Sequence, residues 1–387
     1  MDLARVSAQL RQSSAKSVGS SGNPSDYHPR MRIDLKATHH PSGCHPNPTE
    51  SDPVSGASGF VGSHIVYQLL EAGYSVRGAA RGSKVINLQA AFNSFNIPSN
   101  QDRFKAINIP DIASSDLSDA FKGVSGIIHT AAPLPGHADV EITLKVALQG
   151  TLHVLDLFSI FGRTIFADDA WNPVTLEEAH NNNYATYAYA KTQADKVALE
   201  FTKTHPEMDI TFFSPGWIFG PLIPSPYSYH LIPEPSPAAL STTGYIYALL
   251  NPNNKHYPSV TGFTDIRDVA RAHILALSSQ YKYPQQRMIL KAPEPSSYRK
   301  AIEILEAKFG KEIQGRLANK EKAPGEEWAI QEDKALEWSV KTKDVTWPEG
   351  WKSWKECVED TVDSLLDTEK FWKGKGLEVR VLEDPSL

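Results

Sequence analysis

Three glycines spaced three apart, Gly56, Gly59 and Gly62, constrain this chain more than any other stretch. They lie in Ser55-Gly56-Ala57-Ser58-Gly59-Phe60-Val61-Gly62-Ser63-His64. Ile65, Val66, Leu69 and Leu70 follow at helical spacing, and Gly73 stands where a helix would take a left-handed cap. The pattern predicts a tight turn opening a helix. Such a turn needs glycine where the backbone bends sharply, approaches an anionic ligand closely and lets the helix pack on its strand. Free amide groups and the helix dipole then hold the anion. A dinucleotide pyrophosphate is the natural ligand.

Residues 74–80 read as a second strand, and Arg81 lies just beyond it. A carboxylate at that point would accept from a ribose 2′-hydroxyl, whereas an arginine can grip a 2′-phosphate through a charge-assisted fork. No Asp or Glu occurs from Gly73 to Asn87, so NADP(H) is favoured over NAD.

Composition narrows the classes. The chain has 387 residues, is 41% hydrophobic and carries a formal net charge of −6, which gives no electrostatic footprint for nucleic acid or an anionic membrane surface. No run of apolar residues is long enough to span a bilayer. The two cysteines, Cys44 and Cys357, are far apart, which makes a disulfide framework improbable and a cytoplasmic location the default. No metal-ligand spacing occurs; His39, His40 and His45 sit in a Pro/Ser-rich stretch and read as solvated filler. Residues 1–53 as a whole read as a disordered extension.

Further strands alternate with helices, which argues a parallel α/β sheet. Strands are expected at Phe104–Ile109, Gly126–Pro133, Arg163–Phe166, Ile210–Phe213 and from Phe263. Helices are expected near Ser115–Lys122, Leu144–Phe158, after Tyr187, after Asp268 and from Ser353. The expected first strand is anomalous. Pro46, Pro48 and Pro53 precede the turn, and proline is almost excluded from central strands. The expectation is a stub at Val54, or substitution by the alternating Met31, Ile33 and Leu35. Residues 221–258 have no clear period and read as loops over a pocket. The tryptophans clustered late in the chain read as packing.

Tyr187 and Lys191 are four apart and share a helix face. A tyrosine near its reference pKa of about 10 is a poor proton donor at neutral pH; an adjacent ammonium favours phenolate and brings it toward the working range. The same lysine can reach the nicotinamide ribose.

Taken together these residues resemble the extended short-chain dehydrogenase/reductase superfamily, an NAD-dependent epimerase/dehydratase domain. Within it the chain is most similar to the dihydroflavonol-4-reductase-like group, including fungal NADPH-dependent ketone and aldehyde reductases. The resemblance runs from about Gly56 to Gly376. It rests on the glycine turn, Val76-Arg77 with Arg81, Asp111-Ile112, His129-Thr130-Ala131-Ala132-Pro133, Gly150-Thr151, Trp171-Asn172-Pro173, Tyr187 to Lys191, Phe219-Gly220-Pro221 and Ile266 to His273. It implies a Rossmann-type, doubly wound parallel sheet with a smaller C-terminal substrate-binding region. The cofactor core would span 54–215, completed by about 258–280, and the substrate region 216–257 and 281–387.

By the same resemblance, Gly56, Ser58, Gly59, Phe60, Val61 and Gly62 hold the pyrophosphate and Arg81 the 2′-phosphate. Asp111 and Ile112 take the adenine, Ala131 and Ala132 the nicotinamide side, and Pro215 the nicotinamide. Lys191 would reach the ribose and tune Tyr187, which would protonate the carbonyl oxygen of a small-molecule substrate. Asp268 and His273 would lie outside the reacting set, in a monomer or homodimer. Three departures stand against simple transfer. Ala167, Asp168 and Asp169 occupy a shortened interval where the family places a substrate-orienting hydroxyl, with Thr164 the nearest substitute. Ala190 replaces the usual serine before lysine, and Ser214 the usual asparagine before Pro215. Activity is therefore expected to be feeble, and a nucleotide-sugar epimerase or dehydratase, or an inactive NADP-binding protein, remain as alternatives.

Overall fold

A parallel sheet carries the glycine turn. The computed structural model describes residues 51–93, 103–124, 126–132, 139–158, 174–205, 208, 210–258, 262–277, 287–325, 350–379 and 381. Strand β1 (Ser51–Ser55) runs into helix α1 (Phe60–Glu71), and β2 (Ser75–Ala80) into α2 (Lys84–Asn93). Then come β3 (Phe104–Asn108), α3 (Ser118–Phe121), β4 (Ile128–His129) and α4 (Val140–Phe158). Among the described residues the strand order is β3-β2-β1-β4, all parallel.

The first strand corrects the expectation of a stub at Val54. All five residues of β1 pair with β2, from Ser51 opposite Ser75 to Ser55 opposite Ala79, with Pro53 among them. On its other side the ladder to β4 starts only after the proline, at Val54 opposite Ile128. Proline is tolerated where no ladder donor is demanded of it. Before that point the buried Asp52 carboxylate accepts the Gly126 N–H at 2.7 Å, so a side chain takes the place of a backbone rung. The alternative strand around Met31 to Leu35 lies outside the described residues, as do the histidine cluster, Cys44, the expected strand at 163–166 and the Trp171-Asn172-Pro173 segment.

Helix α5 (Leu176–Ala179) leads into α6 (Asn183–Thr204), followed by β5 (Phe212–Pro215) and β6 (Trp217–Phe219). After α7 (Tyr227–Leu231), α8 (Pro237–Leu240) and α9 (Thr243–Tyr247) the chain returns through β7 (Phe263–Asp265), α10 (Ile266–Leu277), β8 (Arg287–Leu290), α11 (Tyr298–Phe309) and α12 (Trp354–Gly374). β5 pairs with β8 and β6 with β7, both parallel. One face of the four-stranded sheet packs Val54, Val76 and Ile128 against Ile65, Leu69, Leu88, Ala270 and Ile274 of α1, α2 and α10. On the other face Ile107, Ile109 and Ile127 meet Val154, Ala198 and Phe201 of α4 and α6. Helices on both faces make the doubly wound arrangement that the family resemblance implies.

Residues 221–258, expected as loops, instead form three short helices and a 3₁₀ turn at Ala248–Leu250. Their apolar residues come in bursts too short to show a helical period, yet Ile232, Leu240, Ile246, Leu249 and Leu250 all enter one core with α11 and α12. β6, β8 and α11 were likewise not expected from the sequence. Helix α12 follows its sequence closely. Ser353 and Glu356 form both hydrogen bonds of a capping box, and Trp354, Val358, Val362, Leu365 and Leu366 are buried. The Trp354 and Trp372 indoles pack in this core while donating to the Ser297 and Ile232 carbonyls, so they serve packing as expected.

Candidate active site

The three glycines do different jobs. Gly56 has φ +70°, a left-handed conformation, and a Cβ there would lie 3.0 Å from the Ala131 nitrogen on the neighbouring strand's exit. At Gly62 a Cβ would fall 2.2 Å from the Gly56 carbonyl oxygen, so only glycine lets α1 start this close beneath the turn. Gly59 is the N-cap residue with φ −84° and ψ 171°, and its only close neighbour would be the Gly56 oxygen at 3.2 Å. Its third side is open. The N–H groups of Phe60 and Val61 follow in the first helical turn, where no preceding helical carbonyl exists to accept them. The cradle has the form an anion requires.

Beyond β2, Arg81 is exposed at the sheet's carboxyl edge. Asp111, on the loop after β3, stands close enough to feel both Arg81 and Lys145, but its carboxylate is held chiefly by its own loop. It accepts from the Ser114 hydroxyl at 2.6 Å and the Ala113 N–H at 2.9 Å, which lower its pKa. Ile112 is packed against Gly150 of α4, where a Cβ would come within 2.9 Å of its Cγ2, and its carbonyl faces His153 Nδ1 at 3.1 Å. Arg77, named with Arg81 in the resemblance, is turned to another task. Its guanidinium bonds the carbonyls of Asp119, Ala120 and Lys122 and so closes the end of α3.

At the exit of β4 the chain is pinned to Ser55. Thr130 Oγ1 donates to the Ser55 carbonyl at 2.7 Å, and the Thr130 and Ala131 N–H groups donate to Ser55 Oγ at 3.1 and 3.3 Å. Ser55 Oγ also lies 2.7 Å from His129 Nδ1. Ala131 and Ala132 thus sit directly beside the glycine turn, half-buried and exposed respectively. Small side chains leave that edge uncovered.

Helix α6 is capped by Asn182, whose side chain accepts from Ala185 N–H. It presents Tyr187 half-buried and Lys191 exposed one turn on. The Lys191 ammonium is within electrostatic range of His129 at the β4 exit. Ala190, where the family's usual residue is serine, is buried with Ala147 and Ala194 in the contact between α4 and α6. Pro215 closes β5 opposite Leu290. The structure therefore brings Gly56 and Ala131 together at one edge, with Lys191 of α6 within electrostatic range of the adjoining His129. Arg81 and Asp111 stand together one strand away. Ala167, Asp168, Asp169 and Thr164 lie outside the described residues.

Two groups escaped sequence reasoning. Ser55 is the hub of the β4 exit, and a polar residue ending a buried strand just before the turn was its one available signal. His64 is buried in α1, with Nε2 2.9 Å from the Pro221 carbonyl, and burial pulls its pKa down to about 4. Nothing in its local pattern marks it. Asp268 and His273, expected to be structural, bond the Lys352 N–H and the Val269 carbonyl.

The family model for the NAD dependent epimerase/dehydratase family matches residues 53–289. The chain belongs to this family. A relative in the family is a putative NADPH-dependent methylglyoxal reductase of Candida albicans, 29% identical over 351 residues that cover 81% of this chain and 97% of that one. The NADPH-dependent methylglyoxal reductase of Saccharomyces cerevisiae is 27% identical over 276 residues, covering 62% and 77%. Among solved structures, a yeast methylglyoxal/isovaleraldehyde reductase complexed with NADPH superposes with a TM-score of 0.66 at 24% identity, over 83% of this chain and 99% of that one. That likeness establishes the family's fold here. Among the described residues no helix is long and apolar enough to cross a membrane, and no cluster of potential metal ligands occurs.

Proposed function

We propose that the chain is an NADPH-dependent oxidoreductase that reduces a ketone or aldehyde to the alcohol. The observation that carries this reading is the pairing of an anion cradle at Gly56–Gly62 with an exposed Arg81 at the carboxyl end of the next strand. The names of the relatives support it, since both methylglyoxal reductases are described as NADPH-dependent.

The residues fit the cofactor. Gly59 is open where a phosphate would approach, Phe60 and Val61 supply amide donors, and Arg81 offers a fork for the 2′-phosphate. Asp111, Ile112, Ala131, Ala132 and Pro215 would line the adenine and nicotinamide. Bound NADPH supplies the hydride for the carbonyl carbon. The protein's own part is the proton: the Tyr187 phenol O–H donates to the carbonyl oxygen, and the Lys191 ammonium beside it stabilises the phenolate left behind. One hydride and one proton make the alcohol. Ala167–Asp169 stand in place of an orienting hydroxyl, and one preorganised donor is worth roughly 10² to 10³ in rate; turnover below the usual scale of about 1 to 10³ per second is proposed.

The test is carbonyl-dependent NADPH oxidation over a panel of aldehydes and ketones. Tyr187→Phe should lower the rate by about 10² to 10⁴ with the NADPH dissociation constant unchanged. Activity indifferent to Tyr187 would refute the assignment.

A further inference from the structure

Ser55 Oγ accounts for every hydrogen-bonding position a hydroxyl has. A serine hydroxyl offers two lone pairs and one proton. The lone pairs take the Thr130 and Ala131 N–H groups. The one proton is left for His129 Nδ1, the remaining neighbour at 2.7 Å. His129 Nδ1 is thereby an acceptor, which places the ring's hydrogen on Nε2.

The ring is also kept from a second proton. Burial and then the Lys191 ammonium lower the His129 pKa to about 4. A neutral ring with Nε2–H and an ammonium are both donors, so they cannot bond one another. At the sheet edge beside the phosphate turn the Nε2–H calls for an acceptor, and one that Lys191 also binds would have to accept twice. The vicinal hydroxyls of a ribose are such a partner.

We propose that His129 is a cofactor-binding residue whose Nε2–H, oriented by Ser55, joins Lys191 in holding the nicotinamide ribose hydroxyls. The proposal rests on the cofactor reading above. It assigns Ser55 as a positioning residue that acts through the histidine. The location agrees: the residues next to His129, Thr130 and Ala131, are tied to Ser55 and abut Gly56 of the phosphate turn.

The test pairs two ligands with three variants. NADPH carries the nicotinamide ribose, and 2′,5′-ADP lacks it while keeping the 2′-phosphate. His129→Asn keeps an acceptor for Ser55 but no group at the Nε2 position, whereas His129→Gln can return a donor there. In fluorescence and calorimetric titrations, His129→Asn should weaken NADPH about five- to tenfold, the size of one neutral hydrogen bond. It should leave 2′,5′-ADP unchanged, and His129→Gln should recover most of the loss. Long-range ¹H–¹⁵N correlation of the imidazole should show the Nε2–H tautomer in the unsubstituted chain and its loss of uniformity in Ser55→Ala. That measurement carries the test should His129→Asn fail to fold.

Equal NADPH affinity in His129→Asn overturns the inference. So does equal weakening of both ligands, which would make the residue a prop for the turn, and so does an Nδ1–H tautomer. An unsubstituted chain that binds neither ligand refutes the cofactor reading, and this inference with it.

Discussion

Alanine at Gly62 and at Gly59 should damage different properties of the same turn. At Gly62 the new methyl would meet three backbone atoms, the Gly56 oxygen at 2.2 Å, the Gly56 carbonyl carbon at 2.7 Å and the Ala57 Cα at 2.9 Å. Backbone cannot swing aside as a side chain can, so the turn must open by about an ångström. Overpacking of that kind costs about 1–3 kcal/mol. Alanine is better than glycine in a helix by about 1 kcal/mol, which leaves a net loss of up to about 2 kcal/mol. At Gly59 the backbone is in an ordinary extended conformation and the methyl meets only the Gly56 oxygen at 3.2 Å. Stability there should change by no more than about 0.5 kcal/mol. The methyl would occupy the open side of the cradle, where one or two charge-assisted bonds of about 1.5–3 kcal/mol each are at stake. Urea unfolding and NADPH titration on both variants separate the two effects. A Gly59→Ala chain that binds NADPH as tightly as its parent, or a Gly62→Ala chain that unfolds at the parental midpoint, refutes this division of labour.

Arg81→Ala should weaken NADPH about tenfold or more while leaving NADH nearly unchanged, since only the former carries a 2′-phosphate; parallel dissociation constants check it, and an unaltered ratio refutes it. Acid should destabilise the fold through His64, buried and held at a pKa of about 4 against 6.5 in the unfolded chain. Because the unfolded state binds the proton first, this contribution is complete above about pH 6.5 and is lost as pH falls toward 4, to a limit of roughly 3 kcal/mol. His129 and His273 add in the same direction, and urea midpoints that stay level between pH 7.5 and 5 would contradict the reasoning. Tyr298→Phe should be neutral or stabilising by up to about 1 kcal/mol, since the phenol oxygen is buried without a hydrogen-bond partner; a clear loss of stability in thermal melts would show that the hydroxyl is satisfied.

What could be read from the sequence was what repeats or caps. The glycine spacing, the helix after it, the cap at Gly73, the strand before Arg81 and the capping box at Ser353 are local patterns, and each has its expected place in the structure. The first strand was misjudged because proline was weighed against a central strand in general. Whether it is tolerated depends on which side lacks a ladder, and the bond of neighbouring Asp52 to Gly126, 74 residues on, settles that. The short helices between Pro221 and Pro258 were missed because their burial is set by α12, more than a hundred residues later. Arg77 and Ser55 were invisible as partners for the same reason: each is defined by groups on other elements. The candidate site shares this limit. Tyr187 and Lys191 could be paired by spacing alone, but the bond between Ser55 and His129 could not.

The dependence of the short helices on α12 also bears on how the protein is made. The sheet and its two helical layers are assembled from residues up to Leu277, whereas Phe219, Ile246 and Leu250 wait for a helix that ends at Gly374. At a synthesis rate of about 5–20 residues per second, that interval lasts on the order of 5–20 s. During it the nascent chain can hold a finished nucleotide half beside an uncovered apolar face, which is the kind of surface that ribosome-associated chaperones cover and that a chain broken off before Trp354 would keep for its lifetime.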